Sequence, residues 1–242
     1  MRLFLTGGGR EPAASALAHA PFVRAAEGRP VVAYVLAEPG GRADLDRWVG
    51  QLTDAGAAEV RPVTISEHRG PRADDLEGAG GVYIAGGWTP GYREAVAAGG
   101  MAWLDVLRRE DLPYGGFSAG AAIAAHEAIV GGWRATTEGG QDVAVCPEDA
   151  GEDLRDLTLR AGLSLVDCLI DVHATQWGTL PRLMAALDMA DADEGFAIDE
   201  GTTLAFDGAA ATVHGSGVVY RVRLAGGDRM VTAHVDGDRI EL

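Results

Sequence analysis

Residues 113–123 read PYGGFSAGAAI, and the fold turns on how this stretch is parsed. Pro113–Phe117 is short and apolar, as expected of a buried strand. Ala119–Ala128 is rich in alanine and reads as a helix. Between them, Gly116-Phe117-Ser118-Ala119-Gly120 has the form G-x-S-x-G. One residue must carry the chain from strand to helix, so the turn is crowded and its flanks need glycine. The serine Oγ is then presented above the sheet edge, and the first N–H groups of the helix point at any oxyanion formed there.

Working outward, strand and helix patterns alternate through the first two thirds of the chain. Arg2–Leu5 is an apolar run stopped by Gly7, Gly8 and Gly9, and Pro12–Glu27 is helical with Pro12 in the first turn. Pro30–Ala37 is a continuous β-branched run, the signature of a strand covered on both faces. Ala43–Ala55, Ala58–Ile65, Gly81–Ala85 and Pro90–Arg109 continue as helix, strand, strand and a helix interrupted at Gly99-Gly100. This order predicts an α/β protein with a mainly parallel sheet and crossover helices. Gly131–Gly162 reads as an excursion from the sheet with one short helix. Leu163–Ile170 follows as a strand and Leu180–Leu187 as a helix. From Gly195 onward, short alternating runs separated by EG, DG, GSG, AGGD and DGD signal hairpins. The expectation is one domain over 1–242, with 1–194 as the α/β core and 195–242 extending the same sheet by antiparallel strands.

Composition narrows the chemistry. The 242 residues include 20 basic against 36 acidic side chains, a net charge of −16. All the basic residues are Arg, so lysine-based nucleophiles, Schiff bases and P-loop lysines are excluded. The negative charge, with no basic stripe, argues against nucleic acid as partner. No segment has the apolar length of a membrane span or a signal-peptide core. Cys146 and Cys168 lack metal spacing and read as reduced core residues of a cytoplasmic protein. No set of ligands at metal spacing is present, and Gly7-Gly8-Gly9 holds only the start of a dinucleotide motif. Neither metal nor cofactor is therefore expected.

A serine nucleophile needs a base. Among six histidines, His173 is placed best, because it follows the strand Leu163–Ile170 at the edge where α/β sites form. His126 falls in the predicted elbow helix, two turns from Ser118 and pointing away from it. For an orienting acid, ten carboxylates lie between Ser118 and His173. Glu138, within ATTEGG, stands out among them without excluding the others. Gly87, at the end of the strand before Trp88 and Thr89, offers a second oxyanion N–H with no Cβ in the way.

The blocks YIAGGWT (83–89), GGFSAGAAI (115–123), LIDVHATQWGTLPRL (169–183) and AIDEGTTLAF (197–206) resemble, in this order, the serine peptidases of the peptidase E and cyanophycinase family. The resemblance implies a flavodoxin-like three-layer α/β/α sandwich related to class I glutamine amidotransferases, with serine in place of cysteine. It implies Ser118 as nucleophile, His173 as general base, Glu138 as the acid, and Gly87 and Ala119 as oxyanion donors. It also implies a short peptide as substrate, with Trp88, Thr89, Gln176, Trp177 and Arg182 around it, in a monomer or homodimer. The chain departs from the family at Trp88, where a small polar residue is usual. It departs again at Trp177 and Thr179, which stand where the family carries arginines; the nearest arginine is Arg182. Both departures point away from aspartyl specificity. Two other readings compete. One is an esterase of the α/β-hydrolase class, with His214 or His234 as base. The other is a non-catalytic binding protein using Trp88 and Trp177.

Overall fold

The computed structural model describes residues 1–37, 43–137, 139–226 and 228–242. The first half contains β1 (Leu3–Thr6), α1 (Pro12–Ala25), β2 (Val31–Leu36), α2 (Leu45–Asp54), β3 (Val60–Ile65), β4 (Gly81–Ile84), α3 (Thr89–Ala98), α4 (Ala102–Arg109), β5 (Tyr114–Phe117) and α5 (Ala119–Ala122). There follow β6 (Glu127–Gly131), β7 (Arg134–Thr136), β8 (Asp142–Ala144), β9 (Thr158–Ala161), β10 (Leu169–Val172), α6 (Leu180–Leu187) and β11 (Glu194–Ile198). The chain closes with β12 (Thr202–Phe206), β13 (Ala210–Gly215), β14 (Val219–Ala225), β15 (Asp228–His234) and β16 (Arg239–Glu241).

The central sheet has eight strands in the order β16-β13-β12-β1-β5-β4-β2-β3. From β1 to β3 every pairing is parallel, while β12, β13 and β16 add antiparallel strands beyond β1. This is the mainly parallel, flavodoxin-like α/β architecture expected from the alternation. Val31–Val35 are buried throughout, as a strand with helices on both faces requires. The helix predicted over 90–109 is two helices. Gly100 has a left-handed φ of 70°, and a Cβ on Gly99 would lie 2.2 Å from the Pro71 carbonyl oxygen.

Two expectations are corrected. First, the hairpin tail does not only extend the central sheet. β11, β14 and β15 leave it and join β10 in a second, four-stranded sheet, β10-β11-β14-β15. Here β10 and β11 run parallel, and α6 packs against them. The short apolar alternation of the tail suits either sheet, and packing of side chains such as Phe196 against Phe206, ring centroids 5.9 Å apart, ties the two together. Second, the elbow helix ends at Ala122 rather than Ala128. The carbonyls of Ile123, Ala124 and Ala125 accept from the N–H groups of Leu163, Leu165 and Ser164, so the segment after α5 is claimed by a neighbouring loop. His126 consequently lies outside any helix and bonds Ser164 through Nδ1. The excursion over 131–162 is two small antiparallel pairs, β6–β9 and β7–β8, with a 3-10 turn at Glu148–Ala150.

Candidate active site

The carboxyl ends of β1, β5 and β4 lie side by side, and each ends in a glycine-bearing turn. Ser118 follows β5 with φ 50° and ψ −108°. A non-glycine residue in this region costs about 1–3 kcal/mol and persists only where its surroundings enforce it. The enforcement is visible on both sides. A Cβ on Gly116 would lie 2.4 Å from the Gly120 carbonyl oxygen, and one on Gly120 would lie 2.2 Å from that of Ile84. Both glycines of the G-x-S-x-G pattern are thus there for lack of space. The Ser118 N–H is tied to the Thr6 carbonyl at 2.9 Å.

His173 and its carboxylate partner come from the second sheet. His173 follows β10 and Glu200 follows β11, the parallel pair in which Val172 faces Ile198. His173 also has a left-handed φ, 57°. Its Nε2 lies 2.9 Å from Ser118 Oγ, and its Nδ1 lies 2.7 Å from Glu200 Oε1. A carboxylate can only accept, so Nδ1 carries the proton and Nε2 offers its lone pair to the serine. Burial lowers the affinity of the imidazole for a proton, and the hydrogen bond and charge of Glu200 raise it in opposition.

The turn after β1 joins the sheets at this point. The His173 N–H donates to Gly7 O at 2.9 Å, and the Gly201 N–H donates to Gly8 O at 2.9 Å. A Cβ on Gly8 would sit 2.1 Å from His173 Cε1, so the backbone of Gly8 closes directly on the imidazole. The glycines that failed as a nucleotide motif are the seat of the histidine. Asp199 and Gln176 brace the loop that carries Glu200. Asp199 Oδ1 accepts from Thr175 N–H and Oγ1, and Gln176 Oε1 accepts the Glu200 N–H at 2.9 Å.

By sequence, the chain matches no protein-family model and no curated protein. By structure it is similar to a crystal structure of a peptidase from an acI-B1 Actinobacterium. The TM-score is 0.65 at 16% identity, covering 100% of this chain and 96% of that one. It is also similar to a Listeria monocytogenes EGD-e protein provisionally named Peptidase E. There the TM-score is 0.50 at 13% identity, with 96% and 98% covered. The fold is peptidase E-like.

On this peptidase E-like fold the remaining sequence-predicted residues fall as follows. Glu138 lies outside the described residues, and the carboxylate on His173 Nδ1 is Glu200. This carboxylate comes after both serine and histidine in the chain, not between them. Its block, AIDEG, was legible, but only pairing of β11 with β10 brings it to the ring. Gly87 has φ 153°, and neither its N–H nor that of Ala119 donates to a backbone carbonyl among the described residues. Trp88 and Trp177 are about half exposed and line a cavity of about 520 Å³ that also holds Ser118, His173 and Glu200. Arg10 and Arg47 form part of its wall. A larger hollow of about 800 Å³ adjoins it through Arg10, Arg47, Gly87 and Trp88, but contains neither Ser118 nor His173. Ser118, His173 and Glu200 therefore line the smaller one. Thr89 is buried and donates from Oγ1 to Glu152 at 2.9 Å. The expectation for Arg182 is overturned. Its guanidinium is buried, paired to both oxygens of Asp171 at 2.6 and 2.9 Å, and bonded to Ala150 O. Its donors are taken up inside the protein. His214 is on β13 and His234 on β15; neither bonds Ser118, whose partner is His173.

Proposed function

We propose that this chain is a serine-type peptidase that hydrolyses short peptides, acting as a dipeptidase or exopeptidase through Ser118, His173 and Glu200. The observation that carries the reading is the continuous relay from Ser118 Oγ to His173 Nε2 and from His173 Nδ1 to Glu200, with the serine held in a strained elbow. His173 takes the hydroxyl proton as Oγ attacks the peptide carbonyl. Glu200 holds the ring in the tautomer that makes this possible and offsets the charge of the imidazolium. The N–H groups of Gly87 and Ala119 meet the oxyanion, where one donor is worth about 3–4 kcal/mol. His173 then returns the proton to the leaving amine, and water hydrolyses the acyl-enzyme. The modest cavity, about 520 Å³, suits a short peptide, and two buried free cysteines suit a reducing compartment. Ser118→Ala is expected to abolish release of products from a dipeptide and tripeptide library read by mass. It is also expected to abolish labelling by a fluorophosphonate probe. Hydrolysis that survives the substitution removes Ser118 from the mechanism, and a wild-type protein that neither cleaves nor labels favours the binding reading instead.

A further inference from the structure

The indole of Trp177 lies flat on the His173 imidazole, with ring centroids 3.9 Å apart and planes 7° from parallel. This contact is not core packing, since Trp177 is 41% exposed. It is set by the backbone. The Trp177 N–H donates to the His173 carbonyl at 2.9 Å, the Thr179 N–H donates to Ala174 O at 3.0 Å, and Thr179 Oγ1 donates to Val172 O at 2.7 Å. The turn 173–179 therefore places the indole on the ring, and Trp177 also lines the cavity. An aromatic face is negative and attracts a cation laid over it.

We propose that Trp177 is a positioning residue for the base: its indole holds the imidazole toward Ser118 and stabilises the imidazolium form. The catalytic part of this rests on the serine-peptidase reading. As Ser118 Oγ bonds to the carbonyl carbon, its proton passes to Nε2 and a full positive charge appears on the ring beneath the indole. The other groups around the ring are Ser118 on Nε2, Glu200 on Nδ1 and Gly8 at Cε1, with Asp171 on β10 and Arg182 on α6 acting through their charges. Asp149, Glu152, Arg10 and Arg47 share the cavity.

The test is the titration of His173 followed by imidazole NMR in the wild type, Trp177→Phe and Trp177→Leu. His173→Gln assigns the signal, and near-ultraviolet circular dichroism confirms the fold. Proton affinity is expected to fall in the order Trp, Phe, Leu, with the leucine variant about three- to tenfold weaker than wild type. Leucine removes the aromatic face and also uncovers part of the ring, which by itself raises proton affinity; a fall therefore reports the lost aromatic face, and equal or higher affinity in that variant overturns the proposal. On a cleaved peptide, Trp177→Leu is expected to lower kcat with KM little changed. A change confined to KM overturns it as well, and makes Trp177 a substrate contact. The NMR arm needs no turnover, so a failure of the serine-peptidase reading in Ser118→Ala is separable from a failure here.

Discussion

At the scale of single residues, the proposed site rests on three side chains, Ser118, His173 and Glu200, and on Gly8 packed against the imidazole. Glu200→Gln keeps the shape but can stabilise the wrong tautomer of His173, so kcat is expected to fall by about 10³–10⁴. Glu138→Gln is expected to change it less than about threefold, as for a carboxylate with no part in the relay. Steady-state rates on one cleaved peptide decide between the two carboxylates, and the reverse order would move the acid to Glu138. Gly8→Ala places a methyl where His173 Cε1 now sits, 2.1 Å from the ideal Cβ. Because Gly8 also has φ 111°, the substitution is expected to displace the imidazole and lower kcat at least tenfold, a loss of roughly 1.4 kcal/mol or more. Unchanged kcat in that variant would show that the turn after β1 can yield. The pairing of Ser118 with His173 was legible because each sits in a local pattern that explains it. Glu200 and Gly8 were not, because their roles come from contacts between distant segments.

At the scale of elements, the parallel pair β10–β11 brings His173 and Glu200 together. Beneath it lies the buried ion pair of Asp171 on β10 with Arg182 on α6, which fastens helix to strand. Removing one partner leaves a buried charge alone, typically at about 3–5 kcal/mol. Arg182→Ala is therefore expected to lower stability to urea by about that amount. Stability unchanged with only KM raised would return Arg182 to the substrate. The elbow illustrates how far an element can be read locally. Its strand and turn were legible in PYGGFSAGAAI. The length of its helix was not, because the carbonyls from Ile123 to Ala125 accept from residues 163–165, some 40 positions away in the chain.

At the scale of the whole molecule, the core that surrounds the elbow contains a titratable group with no role in the relay. His19 on α1 is buried. Its Nδ1–H donates to Ser15 O, Nε2 accepts from Tyr83 on β4, and the ring stacks on Phe117 with centroids 5.5 Å apart. Burial pushes its pKa down from 6.5 to about 4. The unfolded chain therefore binds a proton at His19 before the folded one does. The neutral ring's contribution is fully present above pH 6.5 and is lost as pH falls toward 4, on the order of 3 kcal/mol in all. Urea midpoints at pH 7, 5.5 and 4 should fall more steeply for the wild type than for His19→Gln. Parallel slopes would assign the acid loss to other groups. The −16 charge acts differently: it is a general repulsion that does not choose a fold.

What the sequence determined by itself was whatever is encoded within one strand or one turn. That includes the alternation that makes a parallel sheet, the glycines that let Ser118 turn sharply, and the placement of His173 just beyond a strand. These are local steric and burial effects, and they act over a few residues. The tertiary structure alone decided the second sheet, the early end of α5, the internal pairing of Arg182, and the choice of Glu200 as partner of His173. Each of these depends on which of several equally apolar or equally acidic segments reaches a given neighbour, and that competition is settled only when the two sheets close around the turn at Gly7-Gly8-Gly9.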